Sequence, residues 1–236
     1  MRFADEPVFI LHRRQYSESS LLLEVLTRAH GRISVLARGA RGARSGQSAI
    51  LQPFQFLRMD VQGQGELLRL TRVEAEGPAL PLAGERAMAG LYFNELLVRL
   101  LPRGLAHPEL LMRYARALSA IAQAPDLAWQ VRAFERDLLA ELGLDHSWQQ
   151  DLAGRPLDPQ TRYALDPTRG FFPCASGETW SGETLLALGA ELDSAPSAVV
   201  QGEARRLLRR LLEAELDGGS LQSWAMVASL PRPGAE

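Results

Sequence analysis

Lysine does not occur in this sequence, and cysteine occurs once, at Cys174. The first absence excludes a P-loop lysine, a Schiff-base lysine and a kinase-type lysine, since each mechanism needs an ε-ammonium at a defined place. All 26 basic residues are arginine, so every contact to a phosphate or carboxylate is made by a planar guanidinium fork. A coding bias in the source genome explains that replacement without any functional cause. A single cysteine forms no internal disulfide, and with four scattered histidines it builds no cysteine-rich zinc site. That fits a reducing cytoplasm. No apolar run approaches the roughly 18 residues of a membrane span, and charge interrupts the N-terminus, so the chain reads as soluble, unprocessed and cytoplasmic.

What is present fits a globular protein. With 46% apolar residues among 236 there is enough to bury a core, and the length suits two domains. The net charge of −2 hides an asymmetry. Residues 1–80 hold 11 Arg against 8 acids, whereas 81–236 hold 15 against 20. No acid lies between Glu24 and Asp60, a stretch that carries Arg28, Arg32, Arg38, Arg41 and Arg44. A local cationic surface is expected there.

Periodicity changes near residues 77–81, which sets the expected boundary between a domain at 1–80 and one at 81–236. Before it, turn residues punctuate five runs of strand character at 7–14, 20–28, 32–39, 50–62 and 66–76. Ile33, Val35 and Ala37 alternate with polar neighbours. Five short antiparallel strands in so little chain suit a small closed barrel, which leaves no open edge. After the boundary the period is helical. Met88, Leu91, Tyr92, Leu96 and Leu100 form one stripe, Leu110, Leu111, Tyr114, Leu118 and Ile121 a second, and Leu127, Val131, Phe134, Leu138 and Leu142 a third. Residues 145–180 lack a helical period and predict an irregular excursion with a short hairpin near Tyr163 to Phe172. Helices return at 181–188, with Ser181 as N-cap, and at 198–216, stopped by Gly218-Gly219.

Enzyme signatures are sparse. G-x-S-x-G, H-E-x-x-H and G-x-G-x-x-G do not occur, and His12, His30, His107 and His146 have no ligand-like spacing. The pairs Glu135/Asp137 and Glu191/Asp193 are i, i+2 on helices and so point apart, as solvated residues do. Cys174, with no basic neighbour closer than Arg169, reads as a buried inert thiol.

The arginines are more informative. Arg38, Arg41 and Arg44 are glycine-spaced on a loop between two strands, Arg13 and Arg14 end the first strand, and Arg28 and Arg32 flank the second hairpin. These seven are candidate DNA contacts, because a guanidinium chelates a phosphate and glycine lets the main chain approach. A solubilising loop is the plainer alternative. Stacking partners are limited to Phe3, Phe9, Tyr16, Phe54 and Phe56, so phosphate contacts should dominate, with little sequence preference. A second set, Trp129, Arg132 and Arg136, falls opposite the Leu127/Val131/Phe134 stripe and has the composition of a site for an acidic, aromatic peptide. The alternative is a cation–π contact or partial burial. Arg205, Arg206, Arg209 and Arg210 read as a solvated helix face, with Glu213 paired to Arg209, and a secondary nucleic-acid contact as the lesser alternative.

Several ordered blocks resemble the RecO family of bacterial recombination mediators. They are Phe9-Ile-Leu-His-Arg-Arg-Gln-Tyr-Ser-Glu-Ser-Ser, Thr27-Arg-Ala-His-Gly-Arg-Ile-Ser-Val-Leu-Ala-Arg, Leu51-Gln-Pro-Phe, Gly90-Leu-Tyr-Phe-Asn-Glu-Leu-Leu, Arg132-Ala-Phe-Glu-Arg-Asp-Leu-Leu and Ala204-Arg-Arg-Leu-Leu with Gly218-Gly-Ser-Leu-Gln-Ser. The resemblance implies an α+β chain with an N-terminal OB-fold barrel and a helical C-terminal domain. It implies a non-enzymatic DNA-repair protein that binds single- and double-stranded DNA and anneals complementary strands. Its implied partners are the acidic C-terminal tail of single-stranded DNA-binding protein (SSB), RecR and, functionally, RecA, with no membrane partner and no cofactor. The residue matching the family's tail-receiving arginine is Arg132. Some members hold zinc with four cysteines; here only Cys174 remains, so no zinc is expected, and Phe171, Phe172 and Trp180 are expected to hold the excursion by packing. An adaptor whose arginine loop binds an acidic protein is the alternative function, and a metal-dependent nuclease is disfavoured because no convergent carboxylate set is present.

Overall fold

Alternation along the first 75 residues closes into a five-stranded barrel. The structure, a computed structural model, describes residues 1–42, 46–144, 146–190, 194–216 and 221–224. Strands β1 (Arg2–Gln15), β2 (Leu21–Thr27), β3 (Arg32–Ala37), β4 (Phe56–Gln62) and β5 (Leu67–Ala75) follow the order β1-β2-β3-β5-β4, and β4 returns to β1. Inward residues Val8, Ile10, Leu23, Val25, Val35, Leu57, Met59, Val61 and Leu68 form one buried cluster. All pairings are antiparallel except β3 with β5, which is parallel. The fold class expected from the sequence is therefore what forms, an OB-type barrel followed by helices.

β1 starts earlier than expected and serves two neighbours, pairing β4 through its first half and β2 through its second. Register shifts between Phe3 and Glu6 and between Ile10 and His12 bend it around the barrel. The run expected as one strand at 50–62 divides, because Gln47–Ile50 forms a single helical turn, α1, and the ladder starts only at Phe56. Pro53 has no N–H to donate and Phe54 has φ 65°, so neither continues a strand.

Helix α2 (Gly84–Leu100) buries a face one step round from the expected stripe: Ala89, Tyr92, Phe93, Leu96 and Leu97 are buried, while Leu91 is 43% exposed. Gly90 explains part of the choice, since a Cβ there would lie 2.7 Å from the Phe54 ring. Helix α3 (Leu110–Gln123) buries the five residues of the second stripe. Tyr114 meets the outer barrel residue Phe9 edge-on, with ring centroids 5.0 Å apart, and donates to Asn94 on α2. These contacts make α2, α3 and the barrel one compact unit, Met1–Gln123, joined by the returning segment at Leu221. Element type changes at 76–83 as read, while compactness divides the chain after Gln123.

The returning segment is held by charge-assisted hydrogen bonds. The Glu95 carboxylate on α2 accepts the backbone N–H groups of Gln222 and Ser223, both at 2.8 Å, and the Ser223 hydroxyl. It therefore caps a turn more than a hundred residues away in sequence.

The second unit begins at Ala124. Asp126 caps α4 (Leu127–Glu141) by accepting the Trp129 N–H, and its other oxygen accepts Gln201 Nε2 from α6 (Ala198–Glu215). The expected hairpin is β6 (Arg162–Asp166) with β7 (Gly170–Pro173), and β8 (Trp180–Ser181) pairs the other edge of β6. Phe171 and Trp180 are buried, but Phe172 is exposed, because adjacent strand residues face opposite ways. Ser181 caps α5 (Gly182–Gly189), as expected. The expected stop at Gly218-Gly219 lies outside the described residues. No helix among the described residues is long and apolar enough to cross a membrane.

Glu203 on α6 ties the hairpin to the helices. Its carboxylate accepts the Ser181 N–H (2.8 Å), the Ser181 hydroxyl (2.8 Å), the Thr184 hydroxyl (2.9 Å) and Arg162 (2.5 Å). Burial pushes its pKa up, but the hydrogen bonds outweigh that and bring it down to about 2. A carboxyl depressed in the folded state contributes stability above its unfolded value near 4.5, and loses it as pH falls towards 2. Glu203→Ala should therefore cost about 1–3 kcal/mol near neutral pH, because it strands buried donors. Chemical denaturation at pH 7 and pH 3 should show the gap between variant and wild type narrowing in acid.

Candidate nucleic-acid interface

The seven candidate arginines divide into occupied and available groups. Arg13 pairs with the inward residue Leu23, so it points to the barrel end, where it donates to the Ser48 and Leu51 carbonyls at 3.3 and 3.1 Å. It serves the end of α1 as a cap and is not a free phosphate fork. Arg32 is likewise engaged: its side chain is 12% exposed, its Nε donates to the Leu101 carbonyl at 3.0 Å, and its Nη1 meets Glu24 at 2.9 Å. Glu24 also accepts Arg103 (2.7 Å) and Ser34 (2.7 Å), so it anchors the loop after α2 to β2 and β3. Gly31 permits the same approach, since a Cβ there would fall 1.8 Å from the Leu105 carbonyl oxygen. The expectation that Arg13 and Arg32 offer open guanidinium groups is thereby corrected; both have nearer acceptors.

The side chains of Arg14, Arg28 and Arg38 are exposed and make no hydrogen bond or ion pair among the described residues. Arg14, Leu22 and Leu36 form one row across β1, β2 and β3, facing away from the core, and Arg38 is the next outward position after Leu36. Arg41 joins this end by a different route. Its guanidinium donates to the Ser17 and Glu18 carbonyls at 3.3 and 3.0 Å, and its N–H donates to the Ser19 carbonyl at 3.1 Å. The segment after β3 is thus pinned to the β1–β2 turn, and within it the Gly42 N–H donates to the Gly39 carbonyl at 3.0 Å. Arg28 follows the opposite end of β2, about 20 Å from Leu22 at the rise of a strand, and does not share the site. Arg44 lies outside the described residues.

One residue that sequence reasoning missed is Arg69. It is exposed and lies beside Leu36 through the parallel β3–β5 ladder, extending the outward row from Arg14, Leu22 and Leu36 to a fourth strand. No local signal announces it, because the strand pairing that places it joins segments more than thirty residues apart.

The set on α4 is not the open surface that its composition predicts. Trp129 is 1% exposed and Arg132 6%. Arg132 forms an ion pair with the buried Glu135 at 2.8 Å, and Arg136 is engaged by Asp137, Leu188 and Ala190. Glu135 is accordingly buried rather than solvated. The helix carries two apolar faces, and the alternative of burial holds. Trp129 Nε1 and Arg132 Nε have no hydrogen-bond partner among the described residues. On α6, Arg209 pairs with Glu213 at 2.8 Å, as its spacing predicts.

Cys174 is half-buried, not buried, and its thiol donates to the Ser176 carbonyl at 3.2 Å. A four-thiolate zinc set does not fit this excursion, because Cys174 is the chain's one cysteine. Among the described residues no group of three or more His, Cys, Asp or Glu could hold a metal ion.

Comparison with known proteins decides the family. Residues 1–78 match the model for the recombination protein O N terminal region, and residues 82–225 the C-terminal one. The chain belongs to the RecO family. It is 42% identical to the DNA repair protein RecO of Xanthomonas campestris over 243 residues, covering all of both chains. The RecO proteins of Xanthomonas euvesicatoria and Stenotrophomonas maltophilia are also 42% identical, each over 98% of this chain and 99% and 98% of theirs. A role in DNA repair and recombination follows from this membership.

The two groups of arginines should respond differently to truncation. Arg13→Ala should lower stability by about 1–2 kcal/mol through lost hydrogen bonds. Arg14→Ala and Arg38→Ala should stay within about 0.5 kcal/mol of wild type, as free surface residues do. Thermal melts of the three variants check this.

Proposed function

We propose that this chain is a RecO-type mediator that binds single- and double-stranded DNA at one end of its barrel and anneals complementary strands. The observation that carries the reading is the gathering of Arg14, Arg38 and Arg41 at the β1–β2 turn of an OB barrel in a chain of this repair family. Guanidinium groups there screen the repulsion between two phosphate backbones and lower the electrostatic barrier to pairing. The step breaks no bond and uses no nucleotide, so the reading is non-enzymatic. In this reading residues 1–80 are the DNA-binding part, and 81–236 recruit the protein to SSB-coated strands, where it acts with RecR to load RecA. Local concentration then replaces sequence specificity.

Docking of the SSB tail at Trp129, Arg132 and Arg136 enters this reading in a restricted form. An incoming carboxylate has to reach a buried guanidinium whose Nη2 already pairs with Glu135, and Arg132 Nε is the donor left without a partner among the described residues. Any DNA contact of Arg28 is a separate one, given its position at the far end of β2.

Fluorescence anisotropy of a labelled oligonucleotide across a salt series tests the proposal. Log K should fall against log salt with a slope of about −2 to −4, for roughly 3–6 neutralised phosphates on a single strand. The Arg14→Ala/Arg38→Ala double variant should flatten the slope by about 1.4 while leaving the Arg41 clamp intact. A wild type with no salt-dependent binding at low ionic strength would overturn the reading. An acidic protein partner for the same end of the barrel would then take its place.

A further inference from the structure

We infer that Tyr16 is a base-stacking residue that gives this end of the barrel a preference for unpaired strands over duplex. The inference rests on the DNA-binding reading above and deepens it, since phosphate contacts alone do not distinguish a strand with splayed bases from one without.

Phe3 stacks on His30, with centroids 4.2 Å apart. Phe9 and Phe56 pack on each other at 5.1 Å. Phe54 is turned against Gly90. Tyr16 remains, 58% exposed, and among the described barrel residues it is the one large aromatic side chain with its ring open to solvent.

Its position is held rather than loose. The Tyr16 N–H donates to the Ser20 carbonyl at 3.0 Å, and the Ser17 N–H donates to the same oxygen at 3.4 Å. Arg41 fastens the rest of the turn through the Ser17, Glu18 and Ser19 carbonyls. A ring presented on a pinned turn loses little conformational entropy when a ligand covers it. Such a ring is a platform, whereas one on a loose loop would have to be ordered by the ligand itself.

The neighbours supply the rest of a nucleotide site. Tyr16 lies two residues beyond Arg14, so it continues the outward side of β1 just past the strand end. Across the sheet, Leu22 and Leu36 separate Arg14 from Arg38. An exposed aromatic ring at the same end of the barrel as two guanidinium groups that make no ion pair among the described residues matches the alternation of base and phosphate along a single strand. Duplex DNA keeps its bases stacked inside and offers this ring nothing comparable.

Anisotropy with three probes of equal length tests the assignment: oligothymidine, the same backbone made of abasic sites, and a duplex. Tyr16→Ala should bind oligothymidine about tenfold more weakly, the loss of roughly one stacked base. Its binding to the abasic strand and to duplex should match wild type, as should its salt slope, and retained duplex binding also shows that the variant is folded. Tyr16→Phe should bind all three probes as wild type does, because the ring and not the hydroxyl does the stacking. The inference is overturned if Tyr16→Ala binds oligothymidine as tightly as wild type, or loses as much on the abasic strand. Wild-type protein that binds none of the three probes at low salt would instead overturn the DNA-binding reading itself, and this one with it.

Discussion

Closure of the barrel through the parallel β3–β5 ladder is the constraint on which the rest of the first unit depends. Three register pairs, Ser34 with Leu67, Val35 with Leu68 and Leu36 with Arg69, join segments that meet nowhere else in the chain. They bring Val35 and Leu68 into one core. They also extend the outward row of Arg14, Leu22 and Leu36, which the β1–β2 and β2–β3 ladders set, to Arg69. Without that closure β3 and β5 would each present an open edge. The basic end of the barrel is therefore a product of topology first and of composition second.

An all-arginine chain uses its guanidinium groups in two ways. A fork reaches two acceptors at once, so arginines near exposed carbonyls become part of the scaffold. Arg13 bridges two carbonyls after β3, Arg32 joins Glu24 to the Leu101 carbonyl, and Arg41 holds a turn while its side chain remains exposed. Others, among them Arg14, Arg28, Arg38 and Arg69, make no side-chain hydrogen bond or ion pair among the described residues and are left to solvent. Net charge cannot separate the two groups, since each arginine counts the same whether or not its donors are spent.

Much of this is legible in the sequence, and the misses share a cause. Alternation and turn residues mark the five strands, and the second helical stripe matches residue for residue, because only one face of α3 is apolar. Helix α2 is apolar on more than one face, so periodicity cannot choose between Leu91 and Phe93; the Phe54 ring does so from a distant loop. Trp129 and Arg132 look exposed in the sequence for the same reason. They lie opposite one apolar stripe of α4, and nothing local reveals that the helix is covered on both sides. Family resemblance is carried by short ordered blocks and survives these errors, because it does not depend on which way a side chain points.

Glu95 adds a dimension of time. Its carboxylate awaits donors at Gln222 and Ser223, 127 and 128 residues further along. Chains leave the ribosome N-terminus first, so the barrel and its two covering helices emerge with this acceptor unfilled. Residues 124–220 of the second unit must be made before the first receives these hydrogen bonds. Synthesis that stops short of Leu221 would yield a barrel with every strand present and a carboxylate on α2 still facing water.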